Sequence, residues 1–324
     1  MIGYLLLLAI GLALFVAITT WWTAHRLRHP PRRTDAFAIS RGIPCNPGEM
    51  PVPIVYESTT LVLTDAQGKQ HKAPVWIIEG ENAQGPILIA SPGWGDSKIG
   101  LLPRLATLAP VCSTIIAWDS PGLGEAPSPC TLGVREPALL LDLARQTRAS
   151  AANPRDVVLL GWSMGAGAAI AAGADAQSDD HIAAVIAECP YRKSWTPARN
   201  VMRNAGYPYR INVPLCFAAL GIRLGVGMRW NSFDRAELSR RLKCPLLVVH
   251  GSEDDVCPIE DGRDIERGAS RSMLVVIEGA GHNNLWTDER FKPQSASAVR
   301  DFLLSLSAPS GPVTLTGNPA SSIG

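Results

Sequence analysis

The run Gly161-Trp162-Ser163-Met164-Gly165 constrains this chain more than any other feature, because of what stands on either side of it. A short apolar stretch, 157–160, precedes it, and an Ala- and Gly-rich stretch reaching 174 follows. Buried strand, tight turn and helix is the setting in which G-x-S-x-G presents a serine hydroxyl at the end of a sheet. The flanking glycines suit the turn, since Cβ atoms there would collide with the neighbouring strand and helix while the serine backbone is strained. The helix start also offers the serine a positive dipole end. Ser163 is therefore the candidate nucleophile, and the fold must place it where a strand ends.

The remaining pattern agrees with such a fold. Residues 55–63 alternate, 65–68 supply a turn and 74–78 return, which predicts an opening antiparallel hairpin. Short apolar runs then recur at 87–90, 114–118, 157–160, 182–187, 246–249 and 274–277. They are spaced by helical patterning, clearest at 98–108, 134–148, 164–174 and 294–306. Hairpin plus β-α-β succession predicts an α/β fold: a mostly parallel eight-stranded sheet with helices on both faces. The stretch 191–240 breaks the rhythm and reads as a short inserted cap over the site. Residues 307–324 are polar and of low complexity, the composition of a disordered tail.

A serine hydroxyl needs a base within hydrogen-bond reach. His282, in Gly279-Ala280-Gly281-His282-Asn283-Asn284 just past the last strand, is placed for that task. His250 is the rival but ends a buried strand and reads as fixing a turn, while His25, His29, His71 and His181 read as surface or core residues. The third member is a carboxylate that holds the imidazole tautomer, and the loop Glu253-Asp254-Asp255 offers three candidates. An oxyanion hole requires two backbone N–H groups. Met164 supplies one by following the nucleophile, and Trp94, in the glycine-flanked loop 91–96, is the expected second donor. Asp119, in the loop 119–124, reads as structural.

Residues 2–22 carry no charge, and 21 residues at about 1.5 Å each span about 31 Å, close to the hydrocarbon thickness of a bilayer. Trp21 and Trp22 close the run and Arg26, Arg28, Arg32 and Arg33 follow, so the reading is a transmembrane anchor at 1–24 with the remainder in the cytoplasm. A cleaved signal would want charge before a shorter run and small residues after it. Residues 25–52, with several prolines and no clear period, read as a linker to a domain at 53–306. The 30 Lys and Arg nearly balance the 29 Asp and Glu, which gives no electrostatic reason to bind nucleic acid. The seven cysteines are scattered, without metal-site spacing, and read as buried reduced thiols.

Three segments together, G-W-S-M-G, H-G-S-E-D-D-V-C-P and G-A-G-H-N-N, resemble the α/β-hydrolases, in particular their serine aminopeptidase and Bem46-like branch. The resemblance covers about 54–305 and implies the α/β-hydrolase fold. In that branch the second segment usually reads H-G-x-x-D-x-x-x-P, which aligns Asp254 with the acid and Pro258 with the closing proline. Relatives often have His-Gly where this chain has Ser91-Pro92-Gly93. The resemblance implies a serine hydrolase that works through an acyl-enzyme with no metal or cofactor, and the apolar N-terminal helix and cap add the expectation of a membrane-anchored enzyme cleaving carboxylic esters or thioesters of a small acyl substrate, a lipid-like one above all. A peptidase of the same fold and a silent membrane-tethered binding protein are the alternatives.

Overall fold

The computed structural model describes residues 1–151 and 153–306, so the tail expected at 307–324 lies outside the described residues. Helix α1 (Ile2–Arg28) and the short α2 (Asp35–Arg41) come first, followed by β1 (Tyr56–Thr64), β2 (Gln70–Glu79) and β3 (Ile87–Ser91). Next are α3 (Leu102–Leu108), β4 (Thr114–Trp118), α4 (Glu136–Ser150), β5 (Val157–Trp162), α5 (Met164–Asp175) and β6 (Ile182–Glu188). The chain continues through α6 (Trp195–Asn204), α7 (Tyr209–Leu224) and α8 (Arg235–Ser239), then β7 (Leu246–Gly251), α9 (Ile259–Gly268), β8 (Ser272–Ile277) and α10 (Lys292–Leu306). The eight strands form one sheet in the order β1-β2-β4-β3-β5-β6-β7-β8. Only the β1–β2 and β2–β4 pairs are antiparallel, so the hairpin sits at one edge and the parallel strands fill the rest.

Strand alternation sorts the core into two layers, because successive side chains point to opposite faces. Leu88, Ala90, Ile115, Val158, Leu160 and Val249 pack on one face with α3 and α10. Ile87, Ile89, Ile116, Leu159, Val185 and Val248 pack on the other with α4, α5, α8 and α9. With both faces covered, the parallel strands read as unbroken apolar runs, and β5 is buried at every position. A third apolar cluster joins α6 and α7 to Leu27 of α1 and Met164 of α5.

Three boundaries differ from the sequence reading. The segment 25–52 is not a free linker: Leu27 of α1 is buried, Ala38 of α2 and Cys45 join the sheet core, and Arg33 pairs with Asp96 at 3.0 Å. The cap is narrower than 191–240, because α8 packs on α5 and α9 beneath the sheet, which leaves α6 and α7 as the covering pair. A helix also occupies Ile259–Gly268, where Ile265 is the only buried large apolar side chain in a charged decapeptide. Among the described residues, α1 alone is long and apolar enough to cross a membrane.

Candidate active site

Ser163 stands between β5 and α5 with φ +54°, a left-handed backbone that side chains seldom adopt. The sequence around it explains how the turn closes. A Cβ on Gly161 would lie 2.1 Å from the Gly165 carbonyl oxygen, and one on Gly165 would lie 2.2 Å from that of Ser91. The Ser163 amide donates to the Glu188 carbonyl at 2.8 Å, which ties the turn to β6. Such held strain is how a protein keeps a side chain lifted away from its own backbone.

His282 arrives from the loop after β8 and Asp254 from the loop after β7. The His282 Nε2 lies 2.9 Å from Ser163 Oγ, and its Nδ1 lies 2.7 Å from Asp254 Oδ2. A carboxylate only accepts, so Nδ1 carries the donated proton and Nε2 is left free to receive that of the hydroxyl. Of the three neighbouring acids only Asp254 is buried, Glu253 and Asp255 being exposed. The three side chains read from the sequence thus come together in one hydrogen-bonded relay.

Burial opposes the charge on Asp254, but hydrogen bonds from His250, His282 and the Cys257 amide outweigh it and hold the carboxyl well below the usual carboxylate range. Its Oδ1 accepts from the amides of Val256 at 2.9 Å and Cys257 at 2.7 Å. His250 Nε2 is 2.8 Å from the Cys257 carbonyl and 3.4 Å from Asp254 Oδ2. It therefore braces the acid's loop, a role only half visible in the sequence. Cys189 and Cys257 share this neighbourhood, and burial pushes both thiols far up, so they stay protonated beside the ionised acid. All seven cysteines are free and buried.

The loop after β3 carries Trp94, and both it and Met164 line the pocket with Ser163. Neither the Trp94 nor the Met164 amide donates to an acceptor among the described residues, which is what an oxyanion donor requires. The Trp94 indole is committed elsewhere, donating to the Leu27 carbonyl of α1 at 2.8 Å.

Two supports escaped the sequence reading. Trp162, the second residue of the turn motif, lies tilted against His282 with ring centres 5.5 Å apart and donates its indole N–H to the His282 carbonyl at 3.1 Å. Behind it lies a buried pair, Arg104 with Glu188 at 2.7 Å, whose carboxylate also accepts from the Trp286 indole at 2.7 Å. Their partners lie far apart in sequence, which leaves no local signal. Asp119 takes the structural place expected of it, accepting from the buried Lys98 Nζ at 2.8 Å.

Above Ser163 the pocket encloses about 220 Å³. Its roof is apolar: Leu27 of α1, Pro197, Ala198 and Val201 of α6, and Leu132. No carboxylate stands at this lining among the described residues, Asp254 lying behind His282. The arrangement can transfer the Ser163 proton to His282, hold the resulting imidazolium against Asp254, and offer two amides to a developing oxyanion.

Known proteins share this architecture. Residues 87–293 match the Alpha/beta hydrolase family. Human serine hydrolase BPHL is 25% identical over 245 residues, covering 69% of this chain and 80% of its own. An esterase of Pyrococcus furiosus superposes with a TM-score of 0.64 at 18% identity, over 86% of this chain and 98% of its own. The esterase RhEst1 from Rhodococcus sp. ECU1013 superposes with a TM-score of 0.52 at 21% identity, over 76% and 99%.

Proposed function

From the premise that the chain belongs to the Alpha/beta hydrolase family and is a serine hydrolase, we propose that it cleaves carboxylic esters through an acyl-enzyme on Ser163, held at a membrane by α1. The observation that carries this reading is the relay Ser163–His282–Asp254 at 2.9 and 2.7 Å on the floor of an apolar pocket.

In the proposed reaction Ser163 Oγ attacks the acyl carbonyl carbon as its proton passes to His282 Nε2. The oxyanion is taken by the Met164 and Trp94 amides. His282 then gives the proton to the departing alcohol oxygen as that bond breaks. Water attacks the acyl-enzyme, its proton again going to His282 and then back to Ser163 Oγ, and the acid leaves. Asp254 holds the tautomer throughout. No step calls for a metal or an organic cofactor.

The pocket's size favours a short or medium acyl group. Its 220 Å³ is about seven water volumes and falls below the roughly 300 Å³ at which drug-sized sites begin. A lipid-like ester delivered from the bilayer fits if its acyl chain is of that length. The lining offers no carboxylate to capture a peptide amine, so the ester reading stands above the peptidase one. For the membrane part, the support is the uncharged helix closed by Trp21 and Trp22, with Arg26, Arg28, Arg32 and Arg33 after it, a flank that under the positive-inside rule supports a cytoplasmic hydrolase domain.

The test is hydrolysis of p-nitrophenyl esters of increasing chain length by the full chain in detergent, beside its Ser163→Ala variant. Truncation of α1 would remove Leu27 from the roof, so the whole chain is used. The reading expects a short-to-medium optimum and loss of turnover in the variant with its melting temperature retained. Equal rates in both proteins would remove Ser163 from the reaction.

A further inference from the structure

Helix α7 is apolar almost all round, yet only part of it is covered. Val213, Cys216, Phe217 and Leu220 face the cap core, while Ile211 and Leu215 are 56% and 44% exposed and Pro214 is exposed beside them. A helix apolar on all sides belongs inside a protein or inside a membrane. The exposed face of α7 lies next to α1, and together they line a groove of about 860 Å³ that includes Leu12, Val16, Thr20, Leu215 and Ala219.

Length turns this adjacency into a constraint. Residues 2–15 of α1 are exposed throughout, and the helix first meets the domain at Val16. Those 14 residues, at about 1.5 Å each, reach only about 21 Å. The hydrocarbon core is about 30 Å thick, so roughly 9 Å more must come from the turns of α1 that are already docked. Residues 16–22 supply that length, and they end at the tryptophan pair. At that same depth α1 meets the start of α7 and the loop before it: Thr19 Oγ1, whose proton goes to the Phe15 carbonyl at 2.8 Å, lies 3.2 Å from Asn212 Oδ1, and the rings of Trp22 and Tyr207 lie 4.6 Å apart. A buried asparagine set against a threonine of the facing helix is the kind of polar contact found between helices in lipid.

Charge at the border points the same way. A second groove of about 620 Å³ lies between α6 and the start of α7, lined by Trp195, Arg199, Arg203, Tyr209, Arg210 and Pro214. Arg192 and Lys193, nearby in sequence, are taken up by Asp234, and Arg192 by Asp264 as well. Arg199, Arg203 and Arg210 have no carboxylate partner among the described residues. The groove adjoins the apolar face at Pro214, so an apolar surface is edged by aromatic rings and unpaired cations. That sequence of surfaces matches acyl chains followed by phosphate headgroups.

We infer that the first two turns of α7, carrying Ile211, Pro214 and Leu215, are embedded in the leaflet beside α1, with the Arg199–Arg203–Arg210 groove against the headgroups of an anionic phospholipid bilayer. This rests on the reading of α1 as a membrane-spanning helix. The cap is then a membrane-seated part of the enzyme, and α1, through Leu27 and Trp94, connects bilayer depth to the roof of the pocket.

The test uses the full chain in vesicles of phosphatidylcholine and phosphatidylglycerol, with a nitroxide on a cysteine introduced singly as Leu215→Cys, Ile211→Cys, Leu12→Cys or Glu237→Cys. The native thiols are buried, so the introduced one takes the label. Esterase turnover checks that each variant folds. Collision with a water-soluble nickel chelate should fall several-fold at 211 and 215 relative to the exposed Glu237 position, matching the Leu12 position, and shielding should rise with the phosphatidylglycerol fraction. Labels at 211 and 215 as accessible as the one at 237, with 12 still shielded, would overturn the inference and leave the anchor standing. Accessibility at 12 as well would overturn the anchor and the inference together. Shielding indifferent to phosphatidylglycerol would remove the arginine groove from the proposal.

Discussion

Ser163 and His282 reach the pocket from the ends of β5 and β8, with Asp254 behind His282 at the end of β7, whereas Leu27, Ala198 and Val201 reach it from α1 and α6. The floor is thus attached to a sheet buried on both faces, where each strand's register is fixed by its neighbours. The roof is attached to one helix of the cap, α6, and to the end of the apolar N-terminal helix. Preorganised chemistry belongs on the first kind of support, and acceptance of varied acyl groups on the second. Substitutions on the floor should therefore abolish turnover, and substitutions on the roof should change which ester is preferred.

The largest effect that would sharpen this contrast comes from Asp254→Asn. It leaves the shape but permits the wrong imidazole tautomer, and a loss in kcat of roughly 10⁴ is expected from the same change in a related relay. The carboxyl's lowered pKa also gives a sign in pH. Its stabilisation is present above about pH 4, the ordinary carboxylate value, and is lost as pH falls through the lower folded value. Chemical unfolding at a series of acid pH values should show a shallower acid-side decline in the variant than in the parent chain.

Next is Glu188→Gln, which leaves Arg104 buried without its counter-charge. Breaking a buried pair by removing one member costs about 3–5 kcal/mol, so the midpoint of denaturant unfolding should fall markedly. An unchanged midpoint would mean that the pair does not hold β6 behind Ser163. Leu27→Ala acts on the roof instead. A buried leucine truncated to alanine costs about 2–5 kcal/mol, and the low end is expected where one side already faces a pocket. Its diagnostic readout is the ester series, in which the optimum should move to longer acyl chains while kcat for the best ester stays within a few-fold. A fall in kcat of the size given by Asp254→Asn would erase the distinction between floor and roof.

The smallest effect is expected from Trp94→Phe, which removes the bond from the indole to the Leu27 carbonyl. One such bond is worth about 1 kcal/mol net. The backbone amide remains, so the ester preference should shift slightly with little change in kcat, and a large kcat loss would show that the indole sets the geometry of the oxyanion loop.

The same division explains what the sequence reveals. The central parallel strands β3 to β7 are legible because they are buried on both faces, the half-buried edge strand β8 reads from its apolar run alone, and 114–118 coincides with β4 end to end. Ser163 and His282 are legible because a strained turn and a loop past the last strand leave local glycine patterns. Asp254 is one of three adjacent acids, and only its burial and the reach of His282 distinguish it in space. Helix α2 goes unseen because seven residues give too little period, with Ala38 alone buried. Helix α9 goes unseen for the same reason, Ile265 being its single large buried apolar residue. Leu27 as a roof residue has no local signature at all, since its neighbours Trp94, Ala198 and Val201 lie far along the chain.

The central claim is that Ser163 is the nucleophile of the relay, and covalent trapping tests it most directly. The full chain is treated with an alkyl fluorophosphonate, in which a serine oxygen displaces fluoride from phosphorus and keeps the phosphonyl group. Peptide mass spectrometry then locates the adduct. The account predicts one phosphonyl group per chain, on Ser163, with ester hydrolysis lost in proportion and no labelling of the His282→Ala variant on the same timescale. An adduct on another residue, or full hydrolysis by the chain carrying the adduct on Ser163, would contradict it.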